Sequence, residues 1–105
     1  MVGELNMQNK VKQFNSQYMQ PLSAENRMLD IQSEVGELAK EVLKSTDYGT
    51  KNFTITPDLK MELGDAIYSL LSFAVEHNIN AEECLTMVIN KYENRFNKKG
   101  HIGSN

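Results

Sequence analysis

The chain has 105 residues, which is the length of one small domain. Its content of 40% hydrophobic and 24% charged residues is ordinary for a soluble globular protein. The net charge of −3 argues weakly against a binder of nucleic-acid polymers, because such proteins are normally basic. A nucleotide substrate stays compatible with this charge, since a bound metal ion would supply positive charge.

Cysteine usage and the N-terminus bear on the compartment. The single cysteine, Cys84, has no partner for a disulfide or a CxxC metal site, which fits a reducing cytoplasm. We expect Cys84 to be a small buried apolar residue. The stretch MVGELNMQNK has no apolar signal core, and no segment is long enough to span a membrane. These features predict a cytoplasmic, soluble protein with no membrane partner.

Apolar spacing in the first half of the chain predicts two helices. The first covers about residues 6–19, where apolar side chains recur at intervals of four, three and four residues. Pro21 then interrupts the pattern, and Ser23 is suited to cap the next helix. The second helix covers about residues 24–44 and carries a bundle-type stripe: Met28, Ile31, Val35, Leu38 and Val42.

The second half predicts a loop and two more helices. Residues 45–55 are polar and contain a glycine, which favours a loop. Thr56 and Pro57 predict the start of a third helix that runs to about residue 77. Asn80 is suited to cap a fourth helix, which ends near residue 100. Short connections between amphipathic helices predict one all-α domain, a helix bundle over residues 1–105, with flexible tails at 1–5 and 98–105.

Two of these helices carry acidic pairs beside their apolar stripes. Glu34 and Glu37 lie on one edge of the second helix, and Glu62 and Asp65 on the matching edge of the third. If the two helices are antiparallel neighbours, the four carboxylates converge and repel one another unless a cation binds. Ligands that are all oxygens favour Mg²⁺, Mn²⁺ or Ca²⁺ over Zn²⁺. The alternative is a solvated helix face, which is the usual setting of a single such pair.

Other charged residues are weaker candidates for a metal site than these four. Asp30 and Glu41 share the same arc of the second helix and are expected to be flanking charges, while Glu76 is expected to be ordinary surface. A di-iron site is disfavoured because neither His77 nor His101 follows a glutamate by three residues.

Candidate substrate-binding residues lie at the two ends of the chain. Lys91 and Arg95 share one face of the fourth helix, with Asn94 a little further round, and cations in this position suit a polyphosphate. Tyr18, next to Phe14, is suited to stack on a base, although aromatic pairs at helical spacing more often belong to a core.

The acidic motifs carry a resemblance to a known family. E-x-x-E from Glu34 to Glu37 and E-x-x-D from Glu62 to Asp65 lie in the contexts SEVGELAKEV and MELGDAIYSLLSFA. Together they resemble the MazG-like nucleotide pyrophosphohydrolases of the all-α NTP pyrophosphatase superfamily, over about residues 11–95. One departure is Ser33, where many members carry a glutamate, so an extra ligand or base at that position is missing.

The resemblance implies an all-α fold of four or five helices that forms a homodimer or homotetramer. It implies Mg²⁺, replaceable by Mn²⁺, held by Glu34, Glu37, Glu62 and Asp65. It also implies hydrolysis of an NTP or dNTP between the α- and β-phosphates, as nucleotide-pool housecleaning. Glu37 and Glu62 are the expected catalytic carboxylates, with Glu37 orienting or deprotonating the attacking water. Lys91 and Arg95 match basic positions that suit phosphate contact.

Two other functions stay open. The acids could hold a cation structurally in a non-catalytic helical oligomer or partner-binding module. A related enzyme could instead cleave another phosphate substrate, such as a phosphoribosyl nucleotide of histidine biosynthesis.

Overall fold

The computed structural model describes residues 6–99, and within that range it contains four α-helices and no strand. The helices confirm the predicted all-α class, and their ends lie within one or two residues of the predicted ones. The predicted tail at 1–5 lies outside the described residues; of the tail at 98–105, Lys98 and Lys99 are helical and the rest lies outside. The helices are α1 (Met7–Tyr18), α2 (Ala24–Ser45), α3 (Pro57–Glu76) and α4 (Ala81–Lys99).

Each helix starts at a polar residue that caps it. The side-chain oxygen of the capping residue accepts a hydrogen bond from the backbone N–H three residues further on, at 2.8 to 3.1 Å. Such a cap satisfies one of the free N–H groups of the first turn and contributes about 1 kcal/mol. The capping residues are Asn6, Ser23, Thr56, which precedes Pro57, and Asn80.

The core lies where α2 and α1 pack against α3. Arg27 near the start of α2 meets Glu76 at the end of α3, and Glu34 lies near Asp65, so α2 and α3 are antiparallel. Apart from Arg27, the buried side chains at this interface are few and small, with Ile31 the largest apolar one. A partly buried polar contact connects α1 to α3, because Asn15 accepts a hydrogen bond from the Tyr68 hydroxyl at 2.6 Å.

Helix α4 makes only minor contacts with the other three helices. Gln8 of α1 fixes its starting point: the side-chain amide donates to the Ile79 carbonyl at 2.6 Å and accepts from the Ala81 N–H at 2.8 Å. The chain is correspondingly extended, with a radius of gyration of 17.0 Å, against about 13 Å for a compact domain of this length.

The surface of α4 is unusually apolar as a result. Leu85, Met87, Ile89, Tyr92 and Phe96 are exposed. Cys84 is exposed as well, so the expectation that it is buried was wrong, because the apolar side of α4 has no helix packed on it within residues 6–99. None of the helices in this range is both long and apolar enough to cross a lipid bilayer.

Candidate metal centre

Three acidic side chains from α2 and α3 converge at the helix interface. Glu34, Glu62 and Asp65 each present a carboxylate oxygen, and these oxygens all lie within 4.8 Å of one another. Glu34 and Glu62 are half-buried, whereas Asp65 is exposed. The predicted convergence of acids from two antiparallel helices is therefore present for three of the four motif carboxylates.

The local sequence explains why the acids meet here. Ile31 lies one helical turn before Glu34 on α2, and Ala66 follows Asp65 on α3, and both of these apolar residues are buried. A small alanine side chain allows the two helices to approach closely. The acids on the edge of that contact are consequently brought to the same place.

Partial burial and neighbouring acids raise the pKa of Glu34 and of Glu62. Partial burial is the largest cause for Glu34 and for Glu62, because it penalises the charged form, and the charge of Asp65 comes second for both. Glu37 adds to the effect on both residues. Glu37 therefore belongs to the same electrostatic cluster, although its oxygens lie outside the group of three.

No protein cation neutralises this cluster within residues 6–99. Arg27 pairs with Asp30 and Glu76, and Lys44 pairs with Glu41. No other ion pair within 4.0 Å is present in the described part of the chain. A donor set of carboxylate oxygens without a counter-charge fits a hard divalent cation. The geometry thus fits the metal site that the motifs suggest, with Glu34, Glu62 and Asp65 already in place.

A cleft of about 350 Å³ opens next to the cluster. Glu34 and Asp65 form part of its wall, and Tyr68 of α3 forms another part. Met19 and Leu22, from the connection between α1 and α2, contribute apolar side chains. Sequence reasoning did not assign this connection to the site, and no periodic signal marks it, since residues 19–23 are not helical.

Sequence reasoning was also wrong about Glu76. Its side chain is only 7% exposed, and it accepts a hydrogen bond from Nη2 of Arg27 at 2.7 Å. The backbone N–H of Leu22 donates to the same carboxylate at 3.3 Å. Arg27 is itself buried and lines the cleft beside Glu34. Arg27 received no role from the sequence, because an isolated arginine in a helix shows nothing about its partner on another helix.

The predicted phosphate-binding residues form a group of their own. Lys91, Asn94 and Arg95 line a shallow groove of about 550 Å³ on α4. Because α4 makes only minor contacts with the other helices, a single chain does not bring this groove to the acids. Their role in phosphate binding stays a prediction.

Tyr18 lies close to the cleft without lining it. Its side chain is 69% exposed, and its ring lies 5.1 Å from that of Phe14. Phe14 in turn makes an edge-on contact with Tyr68 at 6.1 Å, and Tyr68 lines the cleft. Base stacking by Tyr18 stays a prediction as well.

This fold and site define a class: an all-α protein with a cluster of carboxylates between two antiparallel helices. The family model described as the MazG nucleotide pyrophosphohydrolase domain matches residues 22–99, which include both acidic motifs. The chain is also similar to the uncharacterized protein YpjD of Bacillus subtilis (strain 168), with 33% identity over 88 residues, covering 81% of this chain and 75% of that protein. No solved structure matches the chain significantly. The chain therefore belongs to the MazG nucleotide pyrophosphohydrolase family, which confirms the resemblance seen in the motifs.

Proposed function

We propose that the protein is a Mg²⁺-dependent nucleoside triphosphate pyrophosphohydrolase that clears unwanted nucleotides from the pool. It hydrolyses an NTP or dNTP between the α- and β-phosphates and releases a nucleoside monophosphate and pyrophosphate. The observation that carries this proposal is the convergence of Glu34, Glu62 and Asp65 in a member of this family, with no protein counter-charge among residues 6–99. Mn²⁺ is expected to replace Mg²⁺, because both accept oxygen ligands.

The motif carboxylates have two proposed roles, which are cation binding and proton transfer. Glu34, Glu62 and Asp65 are the residues placed to hold the cation, with Glu37 adjacent. A bound divalent cation supplies charge that neutralises the triphosphate and lowers the pKa of water. Glu37 acts on the same cluster through its charge without belonging to the group of three, so we assign it the role of accepting a proton from the attacking water.

The raised pKa values of Glu34 and Glu62 support a role for both residues in cation binding. An acid whose charged form is penalised by burial and by neighbouring acids is relieved when a cation arrives. The repulsion within the cluster is therefore a source of cation affinity. It has a cost in stability for the metal-free chain, as is common at functional sites.

A second copy of the chain is the proposed partner for the apolar surface. Leu85, Ile89, Tyr92 and Phe96 share one face of α4 by helical spacing and are all exposed, and exposed apolar faces of this kind mark interaction sites. A homodimer or homotetramer would cover them. Because α4 of the same chain does not reach the acids, we propose that Lys91, Asn94 and Arg95 act on the triphosphate bound by the partner subunit.

The cleft beside the acids is the proposed place of the nucleoside. Glu34 and Asp65 form part of its wall, and Met19 and Leu22 offer apolar contact to a base. Tyr18 would extend this surface by stacking at its edge. A pyrophosphate-release assay with a panel of NTPs and dNTPs, including oxidised and deaminated ones, tests the activity and ranks the bases.

A further inference from the structure

Arg27 stands out as a buried charge that the proposed chemistry does not use. Only 4% of the residue is exposed. Its Nε donates to Oε1 of Glu76 at 3.1 Å, and its Nη2 donates to Oε2 at 2.7 Å. Its Nη1 donates to Oδ2 of Asp30 at 2.8 Å. One guanidinium thus binds one carboxylate from α3 in a bidentate manner and another from its own helix.

Asp30 lies outside the group of three converging carboxylates, although its charge acts on one of them, Glu34. It lies one helical turn before Glu34, where side chains four residues apart are neighbours on the helix surface. Arg27, Asp30 and Glu34 all line the same cleft. The charge of Asp30 is close enough to contribute to the raised pKa of Glu34. Without Arg27, its carboxylate would be free to turn towards the same cation.

We propose that Arg27 is a positioning residue of the metal centre, which holds Asp30 away from the cation and fixes α2 against the end of α3. The cation is then left to Glu34, Glu62 and Asp65, with Glu37 adjacent. This inference rests on the metal site proposed above, but it does not depend on the reaction.

The other end of the cluster provides a natural comparison. Lys44 pairs with Glu41 at 3.2 Å, and Glu41 lies one turn beyond Glu37, as Asp30 lies one turn before Glu34. The Lys44 side chain is 54% exposed, however, and exposed ion pairs of this kind contribute little. Arg27 is buried and makes three hydrogen bonds, so only this end of the cluster is held firmly. Lys44→Met is therefore a matched control. It removes a positive charge that lies about as many residues after Glu37 as Arg27 lies before Glu34.

A double-mutant cycle on Mn²⁺ binding tests the role of Arg27. Free Mn²⁺ is measured by electron paramagnetic resonance in the full chain without nucleotide, for the wild type, Arg27→Gln, Asp30→Asn and the double variant. With Arg27 present, Asp30→Asn removes one uncoordinated charge and weakens Mn²⁺ binding by no more than about fivefold. With Gln at position 27, the same change weakens binding by roughly tenfold more, because Asp30 has become a ligand.

The results separate three possibilities. The expected result is coupling between positions 27 and 30 with no such coupling between positions 44 and 30. An equal effect of Asp30→Asn in both backgrounds overturns the inference, because Arg27 would then act through charge or structure alone. A wild type that binds no Mn²⁺ removes the proposed metal site itself, which is a different failure.

A second comparison covers the case in which Arg27→Gln does not fold. Asp30→Asn and Glu34→Gln leave the bond between Arg27 and Glu76 intact, and circular dichroism checks their helix content. Glu34→Gln removes a proposed ligand, and we expect it to lose more than ten times as much Mn²⁺ affinity as Asp30→Asn, a difference of about 1.4 kcal/mol or more. Equal losses would make Asp30 a ligand in the wild type and would overturn the inference.

Discussion

Glu34 on α2 and Asp65 on α3 present carboxylate oxygens no more than 4.8 Å apart, together with an oxygen of Glu62. At this distance two negative charges repel, and partial burial of Glu34 makes its charge more costly still. The chain nevertheless places these acids beside Ile31 and Ala66, two buried residues of the packed helices α2 and α3. The arrangement is understandable if the acids are kept for a cation rather than for stability.

The first prediction concerns pH and stability without metal. Because burial and neighbouring acids raise the pKa of Glu62, the folded chain keeps this proton to a higher pH than the unfolded chain does. Glu62 therefore contributes to the stability of the folded chain below the ordinary carboxyl pKa. This contribution is lost as the pH rises through the raised pKa. In EDTA at pH 7.5, Glu62→Gln should therefore melt at a higher temperature than the wild type, and the difference should shrink towards pH 4.

Thermal unfolding followed by circular dichroism checks this prediction. Adding Mg²⁺ should raise the melting temperature of the wild type more than that of Glu62→Gln, because a cation stabilises the state that binds it. A wild type that is the more stable of the two in EDTA at pH 7.5 would show that the carboxylates do not repel one another.

The second prediction concerns the buried pair of Arg27 and Glu76. Glu76→Gln leaves the guanidinium without its charged partner from α3, and breaking a buried pair costs about 3 kcal/mol. The hydrogen bonds from Arg27 hold the pKa of Glu76 below its usual range. Stability from this residue is therefore present above the ordinary carboxyl pKa and is lost as the pH falls through the lowered value.

Urea unfolding at pH 7 measures the cost, with Glu25→Gln as the control. Glu25 is an exposed acid in the first turn of α2, outside the ion pairs of residues 6–99, so its loss removes only a helix-dipole interaction and should change the free energy of unfolding by less than about 1 kcal/mol. Equal effects of the two substitutions would mean that the Arg27–Glu76 pair contributes nothing.

These two predictions also show what sequence alone provides. The helix ends follow from local chemistry, since caps such as Ser23 and Thr56 act within one turn. The convergence of Glu34, Glu62 and Asp65 follows from helical spacing once α2 and α3 are taken as antiparallel. The burial of Glu76 depends on which arginine lies opposite it, and helical spacing within α3 contains no such information.

The position of α4 is the other feature that sequence could not provide. Leu85, Ile89, Tyr92 and Phe96 form an apolar stripe along this helix, and Cys84 was expected to be buried as a small apolar residue. The exposure of Cys84 shows that a stripe identifies a face to be covered but not the surface that covers it.

The third prediction concerns assembly. Phe96 is 57% exposed in the single chain, so replacing it with a charged residue should not disturb the fold of one protomer. Phe96→Glu should shift the protein from dimer or tetramer to monomer, because it places a charge in the proposed apolar interface. Size-exclusion chromatography with light scattering measures the mass, and circular dichroism checks the helix content. A wild type that is already monomeric would contradict the proposed assembly.

The fourth prediction concerns the sharing of residues between subunits. Glu62→Gln and Arg95→Gln should each lose activity, since one removes a proposed metal ligand and the other a proposed phosphate contact. If Arg95 acts on the partner's substrate, mixed dimers contain one intact site, and an equal mixture should recover about a quarter of wild-type activity. Subunits are exchanged by refolding the two variants together. No recovery above the separate variants would place both residues in the site of one chain, or remove Arg95 from it.

The central claim is tested most directly by pyrophosphate release from nucleoside triphosphates, measured with and without Mg²⁺ for the wild type, Glu62→Gln and Glu25→Gln. We expect Mg²⁺-dependent release of pyrophosphate and monophosphate by the wild type and by Glu25→Gln. Glu62→Gln should be slower by at least about a hundredfold, because it loses a ligand of the cation that stabilises the transition state. A folded wild type that binds Mg²⁺ but releases no pyrophosphate from any nucleotide of the panel would contradict the claim, and would favour a cation-binding helical module without turnover.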